Sequence, residues 1–158
     1  MRKFTANYLL SDSGVFLKNG ILVAKEDGTV VDFVDTKGDL KEIAQMSFHN
    51  GILMAGFTFS KNTAFVPLSE AENTVKSFVI RSVAGIFQFS ILDFIELGKQ
   101  VQVHFPEMKI PEIMNEIAEV LLADSVFRKE KTPGIFLLSG VDLPQMHFTP
   151  QTRIKRIL

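Results

Sequence analysis

The sequence predicts an α+β fold in which strands from the two ends of the chain build one sheet around a helical segment. Runs of β-branched and aromatic residues separated by turn residues fill the first third of the chain. From Val75 to Leu121 apolar residues recur every three or four positions, and short apolar runs return after Pro133. Neither end alone has enough strands to bury an apolar face, so we expect both ends to complete the same sheet.

The N-terminal part is predicted to form a small antiparallel sheet. Asp27-Gly28 lies between two apolar runs, which is typical of a tight β-hairpin. A second turn is predicted at Asn50-Gly51, between strands Gln45 to His49 and Ile52 to Met54. The other predicted strands are Lys3 to Leu10, Val15 to Leu17, Gly20 to Lys25 and Val30 to Val34.

The middle of the chain is predicted to form about three helices. Ser69 resembles an N-cap, and a helix is expected from about Val75 to Leu97, with Gly85 as a candidate break. A continuation over Ser90 to Val103 is expected to stop at His104-Phe105-Pro106, and Pro111 suits the first turn of the next helix. That last helix has a predicted buried stripe of Ile113, Met114, Ile117, Val120 and Leu121, with Glu112, Glu116 and Glu119 facing solvent.

Strands return near the C-terminus. We expect Gly134 to Leu138 to pair near Ile21 to Lys25 or Val30 to Val34, and Gln145 to Phe148 and Arg153 to Leu158 to be further strands. The sequence therefore predicts one domain over residues 1–158. Its parts are a β-rich segment at 1–63, a helical insert at 69–125 and completing strands at 133–158.

Composition excludes several classes of function. Seventeen Lys and Arg against eighteen Asp and Glu leave a formal net charge of -1, which predicts no nucleic-acid partner and no attraction to an anionic membrane. The absence of cysteine excludes thiol catalysis and thiolate metal sites. Charged residues interrupt the apolar stretch from Phe78 to Leu97, so it is not expected to span a membrane, and we expect a cytoplasmic protein.

Two segments, one near each end of the chain, have a recognisable order of features. The first is Lys18-Asn19-Gly20-Ile21-Leu22-Val23, followed by Asp27-Gly28-Thr29-Val30 and then Asn50-Gly51-Ile52-Leu53-Met54-Ala55-Gly56-Phe57. The second is Lys131-Thr132-Pro133-Gly134-Ile135-Phe136-Leu137-Leu138 with the closing segment Thr149 to Leu158. Both segments resemble metal-dependent amidohydrolases of the cytosine deaminase and chlorohydrolase type. The resemblance implies that both ends form the family's composite β-sandwich, which lies beside a (β/α)8 barrel in the enzymes.

The chain departs from the family where the chemistry is expected. Aligning Gly56-Phe57 with the family's P-G-F places Lys61 and Thr63 on the two metal-ligating histidines. A looser match of Ser82-Val83-Ala84 to the late S-x-A motif places Arg81 on the catalytic aspartate. A lysine repels a divalent metal, a neutral threonine is a poor ligand, and a guanidinium cannot accept a proton, so no metal, cofactor or catalytic residue is predicted.

The barrel itself is also predicted to be missing. A (β/α)8 barrel needs roughly 200 residues or more, and the span between the two β-rich ends is far shorter. His49, His104 and His147 lie far apart in the sequence and are expected to be solvated strand or loop residues, not metal ligands.

The sequence therefore favours a catalytically inactive, amidohydrolase-like remnant that acts as an interaction or structural module. Its partner would be a second copy or a full-length relative, and we expect a homodimer whose interface uses Phe78, Phe87 and Phe94. The alternative is a metal-dependent hydrolase or deaminase acting on C–N bonds, which completes its site with a partner chain.

Overall fold

The computed structural model describes residues 1–39, 46–61, 74–123 and 127–158. Over these residues the chain is a mixed α+β protein with three helices and an open eight-stranded sheet, which confirms the predicted class. The contacts divide it into two compact units where the sequence predicts one domain. We call residues 1–56, 131–144 and 149–158 the sheet unit, and residues 57–130 and 145–148 the helical unit.

The N-terminal strands of the sheet unit confirm the sequence prediction closely. They are β1 (Arg2–Leu10), β2 (Phe16–Lys18), β3 (Ile21–Ala24) and β4 (Val30–Val34). β3 pairs antiparallel with both β1 and β4, and the Asp27-Gly28 turn closes the β3–β4 hairpin. Asp27 Oδ1 accepts a hydrogen bond from the Thr29 backbone N–H at 2.9 Å, which lowers the pKa of Asp27 and fixes the turn.

The predicted turn at Asn50-Gly51 is wrong. A single strand, β5 (Met46–Ser60), runs through these two residues and pairs parallel with β1, so the N-terminal strands are not all antiparallel. The register shifts between Ala6 and Tyr8, where the Asn7 side chain accepts a hydrogen bond from the Gly51 N–H at 2.7 Å. Gly51 has a φ of 133° and occupies a local irregularity within the strand, so it does not reverse the chain.

The two ends of the chain share one sheet, as predicted. The C-terminal strands are β7 (Arg128–Ser139) and β8 (Arg153–Arg156), and the strand order is β4-β3-β1-β5-β7-β8. The expected pairing of Gly134 to Leu138 with β3 or β4 is wrong, because β7 lies between β5 and β8. Its link to the β3–β4 hairpin is a hydrogen bond from the Gly134 N–H to the Gly28 carbonyl, at 2.9 Å.

The core of the sheet unit joins residues that are distant in the sequence. It contains Phe4, Ala6, Leu9, Leu22, Ala24, Leu53, Ile135 and Leu137, all at most 5% exposed. Burying each large apolar side chain contributes roughly 1.5–3 kcal/mol. Ile157 and Leu158 pack against this cluster, so the last residues of the chain complete the core that its first strand begins.

The helical unit replaces the expected long helix with two helices and a short strand. α1 (Val75–Val83) ends before Gly85, whose φ of 79° suits glycine, and β6 (Gln88–Ser90) follows. α2 (Ile91–His104) begins at a capping box in which Ser90 and Asp93 each accept a hydrogen bond from the other's backbone N–H. The expected helix start at Ser69 lies outside the described residues; Thr74 caps α1.

The third helix confirms the sequence prediction. α3 (Ile110–Leu122) has Pro111 in its first turn, and its buried side includes all five stripe residues predicted for it. The strand expected at Gln145 to Phe148 is wrong, since Gln145 and Met146 lie in a turn, where Met146 has a φ of 52°, and His147 forms only an isolated bridge. None of the helices in the described ranges combines the length and apolarity that a bilayer-spanning helix needs.

Candidate functional site

Lys61 occupies the position that the resemblance assigns to a metal-ligating histidine. It directly follows β5, whose last residues pair antiparallel with β6, Phe59 opposite Phe89. The pairing continues one step beyond the strands, because the Lys61 backbone N–H donates to the Phe87 carbonyl at 2.9 Å. Strand pairing therefore fixes the backbone of Lys61 beside Phe87.

The Lys61 side chain is only 7% exposed and ends between two aromatic rings. Its Nζ lies 5.3 Å from the centroid of Phe87 and 5.2 Å from that of Phe127. A cation at the face of an aromatic ring is attracted by the ring quadrupole, by about 2 kcal/mol or more when the pair is desolvated. The two rings therefore stabilise the positive charge of Lys61, and that charge would repel a divalent metal ion.

The other two positions that the resemblance aligns with functional residues, Thr63 and Arg81, differ from Lys61. Arg81 lies in the last turn of α1 and is exposed, where its charge complements the carboxyl end of the helix dipole. Thr63 lies outside the described residues. Arg81 thus has the surroundings of a solvated helix-end cation and not those of a buried proton acceptor.

The three histidines lie on different elements of the structure and have different neighbours. His49 is on β5 and stacks on Phe4, with 6.2 Å between ring centroids. His104 is the last residue of α2, where its ring contacts Phe78, and His147 is an isolated bridge residue directly after the turn at 143–146. Within the described ranges no three His, Asp or Glu side chains are grouped to hold a metal ion.

Two of these histidines were expected to face solvent, and the structure buries part of each. The Nε2 atoms of His49 and His147 are buried and have no hydrogen-bond partner among the described residues. Burial lowers the pKa of His49, and the positive charge of Lys155 lowers it further. His49 therefore has the properties of a neutral packing residue.

The three phenylalanines expected at an interface have three different environments. Phe94 is 4% exposed and contacts the rings of Phe57 and Phe59, so it is a core residue and cannot cross an interface. Phe78 is half-buried against His104 and Phe105. Phe87 is 50% exposed, so one part of its ring meets Lys61 and the rest is available to a partner.

A cavity of about 190 Å³ lies in the sheet unit. Val30, Phe33, Ala55 and Pro133 supply apolar lining, and Asp12 and Lys131 form an ion pair at 2.7 Å beside it. Because that ion pair is already satisfied and the remaining polar groups are threonine hydroxyls, the lining offers neither a nucleophile with its base nor a metal-ligand set. The cavity has the chemistry of a small groove and not of a catalytic centre.

Sequence reasoning missed the aromatic surroundings of Lys61. Lys61, Phe87 and Phe127 are far apart in the sequence, and a lysine that follows a strand is ordinarily solvated. The available signal was the abundance of Phe, fifteen residues against one Tyr and no Trp, which makes a chance pairing of a cation with aromatic faces common.

The chain matches no family model, no curated protein and no solved structure in the comparisons made.

Proposed function

We propose that the chain is a catalytically inactive, amidohydrolase-like module that acts by association with another protein chain. The observation that carries the proposal is Lys61: a buried ammonium between Phe87 and Phe127 stands where the resemblance requires an imidazole ligand. A divalent ion next to that ammonium would be repelled, and the aromatic faces provide no lone pair for it.

The architecture supports the same proposal. In the resembled family the two chain ends form a composite β-sandwich, and here strands from both ends share one sheet with a helical segment between them. The remaining span is too short for a (β/α)8 barrel, which needs roughly 200 residues or more. What persists is the part of such an enzyme that supports the active site, without the part that performs the chemistry.

The proposed self-association surface is the exposed apolar pair beside β6. Phe87 is 50% exposed and Leu92 is 49% exposed, and both belong to the helical unit. Leaving such side chains wet forgoes roughly 1.5–3 kcal/mol each, which a twofold contact between copies can recover. Phe94 has no part in this surface, because it is buried in the core of its own chain.

The association arm is tested by light scattering after size exclusion. At low micromolar concentration and high salt, we expect the wild type to run as a dimer of the 17.7 kDa chain and Phe87→Asp to run as a monomer. Val103→Asp is the matched control, because Val103 is 72% exposed on α2 and should leave the dimer intact. A wild type that remains monomeric at micromolar concentration contradicts the proposed surface.

The catalytic arm is tested by turnover. The protein should not hydrolyse or deaminate a panel of cyclic and linear C–N substrates, with or without added zinc. The hydrolase alternative requires the missing ligands to come from another chain, so it predicts turnover when zinc is supplied together with a full-length relative whose own activity has been removed by substitution. Turnover by the isolated chain would overturn the proposal.

A further inference from the structure

The sheet has two edges, and their charges are opposite. β4 and β8 lie at the two ends of the strand order, each paired on one side only among the described residues. Each therefore presents backbone N–H and C=O groups that can pair with another strand, although on β4 the Phe33 N–H already donates to Asp32 Oδ1 at 2.9 Å. Both edge strands belong to the sheet unit.

The β4 edge is acidic and partly apolar. Asp32 lies within the strand and Asp35 directly after it, and both are exposed, although Lys37 already makes a surface ion pair with Asp35 at 3.5 Å. Val31 and Val34 are also exposed, so this edge does not have the cationic protection that many edge strands have. It offers backbone groups, apolar surface and negative charge together.

The β8 edge is basic. Its four residues include Arg153, Lys155 and Arg156, all exposed, and no acidic residue. Two β8 edges placed together would set these cations against one another, and two β4 edges would set Asp32 against its own counterpart. Since like charges across a strand pair are unfavourable and opposite charges are favourable, only the β4–β8 combination is electrostatically matched.

The strand directions permit this combination without turning the sheet over. β1 and β5 are parallel, β3 opposes β1, and β4 opposes β3. On the other side β7 opposes β5, since Gly51 lies against Leu138 and Gly56 against Thr132, and β8 opposes β7. β4 and β8 therefore point the same way, so a second copy shifted sideways brings its β4 beside the first copy's β8 as a parallel pair.

We propose that β8 of one copy pairs with β4 of a second copy, so that the sheet continues from chain to chain. The contact is heterologous, because the two surfaces differ, and each added copy leaves one free edge of each kind. The assembly is therefore open-ended. Since β8 has only four residues, each contact is weak, and assembly rises with concentration and falls with salt.

The proposal goes beyond the proposed function and does not depend on it. Phe87 lies in the helical unit and both edges lie in the sheet unit, so a Phe87→Asp background removes one contact and leaves the other. All variants below are made in that background. Failure of the edge contact is then distinguishable from failure of the Phe87 dimer or of the inactive-module proposal.

Two charge-reversal variants and their mixture provide the test. The first carries Asp32→Lys and Asp35→Lys, which makes both edges basic. The second carries Lys155→Glu and Arg156→Glu, which makes both edges acidic on balance. All four positions are exposed, and a control with Glu112→Lys and Glu119→Lys makes the same change in net charge as the first variant on the exposed side of α3.

Sedimentation velocity at rising protein concentration gives the readout. We expect the weight-average mass of the parent and of the α3 control to rise past that of a dimer at low salt and to fall back at high salt or on dilution. Each edge variant alone should lose that rise, and an equimolar mixture should regain it. The proposal is overturned if the parent stays monomeric, if its mass stops at a dimer, if either edge variant still assembles, or if the mixture does not.

Discussion

The sheet unit and the helical unit differ in how far along the chain their stabilising contacts reach. The sheet unit joins Phe4 and Leu22 to Ile135 and Leu137 in one core, so its stability depends on both chain ends being present. In the helical unit α1, α2 and α3 lie within one continuous segment and pack on one another, and Phe148 joins them from much later in the chain through hydrogen bonds with Gln102. The core of the sheet unit needs strands from both chain ends, whereas the three helices come from one segment, so the two units should fail in different ways.

The largest expected effect comes from removing the last strand. Deleting residues 150–158 removes β8 together with Ile157 and Leu158, which pack on the core of the sheet unit. We expect an insoluble protein or the loss of the cooperative unfolding transition, followed by circular dichroism. Arg153→Gln, an exposed change in the same strand, is the control and should unfold like the wild type. A truncated protein with an unchanged melting temperature would show that the two ends do not depend on each other.

Two glycines sharpen the comparison between the units. In the sheet unit Gly51 has a φ of 133°, and a Cβ there would overlap the carbonyl oxygen of Leu138. In the helical unit Gly85 has a φ of 79°, with no described atom within 4 Å of the added Cβ. Gly51→Ala should therefore cost about 2–4 kcal/mol, and Gly85→Ala only about 1 kcal/mol. Urea unfolding measures both, and equal costs would contradict the close approach of β7 to Gly51.

Lys61 provides the next test, within the helical unit. Lys61→Ala removes a buried cation from between Phe87 and Phe127 and should destabilise the protein by about 1–3 kcal/mol. Lys129 is the matched control, because its Nζ lies 4.9 Å from the centroid of Phe57 but the residue is exposed. Lys129→Ala should cost about 0.5–1 kcal/mol. Chemical denaturation measures the free energy of unfolding of both variants. A loss for Lys61→Ala no larger than that for Lys129→Ala would show that burial does not strengthen the cation–ring contact.

The smallest expected effect is a pH dependence in the sheet unit. The pKa of His49 is lowered from its ordinary value of 6.5 by burial and then by Lys155, so the unfolded chain binds a proton more readily than the folded one. Stability should therefore be complete above about pH 6.5 and decrease as the pH falls through the lowered pKa. His49→Phe should remove that component of the slope, whereas His104→Phe should keep it. An unchanged slope in His49→Phe would assign the dependence to another group.

The sequence predicted local features better than long-range ones. The Asp27-Gly28 hairpin, Pro111 and the α3 stripe depend on neighbouring residues, and the structure has all of them. The Asn50-Gly51 turn was wrong because an Asn-Gly pair also suits an irregular strand position whose neighbours come from Asn7 and from β7. Those neighbours are tens of residues from Gly51 in the sequence, and the spacing of apolar residues does not predict contacts over that distance.

The candidate site shows the same limit. Alignment to the family pattern located Lys61, but the rings around its ammonium come from the β6 pairing and from Phe127, which sequence spacing does not connect. Phe94 was expected at an interface because apolar residues surround more than one side of the supposed long helix. The break at Gly85 and the insertion of β6 start a new helix at Ile91, and Phe94 turns into its core.

We propose that the buried Lys61 side chain stands where the resembled enzymes hold a metal ion. The most direct test is the zinc and iron content of the full chain, purified without added metal, incubated with excess zinc and dialysed, as measured by inductively coupled plasma mass spectrometry. We expect far less than one metal ion per chain in the wild type and also in Lys61→Ala, because removing the lysine cation does not by itself supply metal ligands. One retained metal ion per wild-type chain would contradict it.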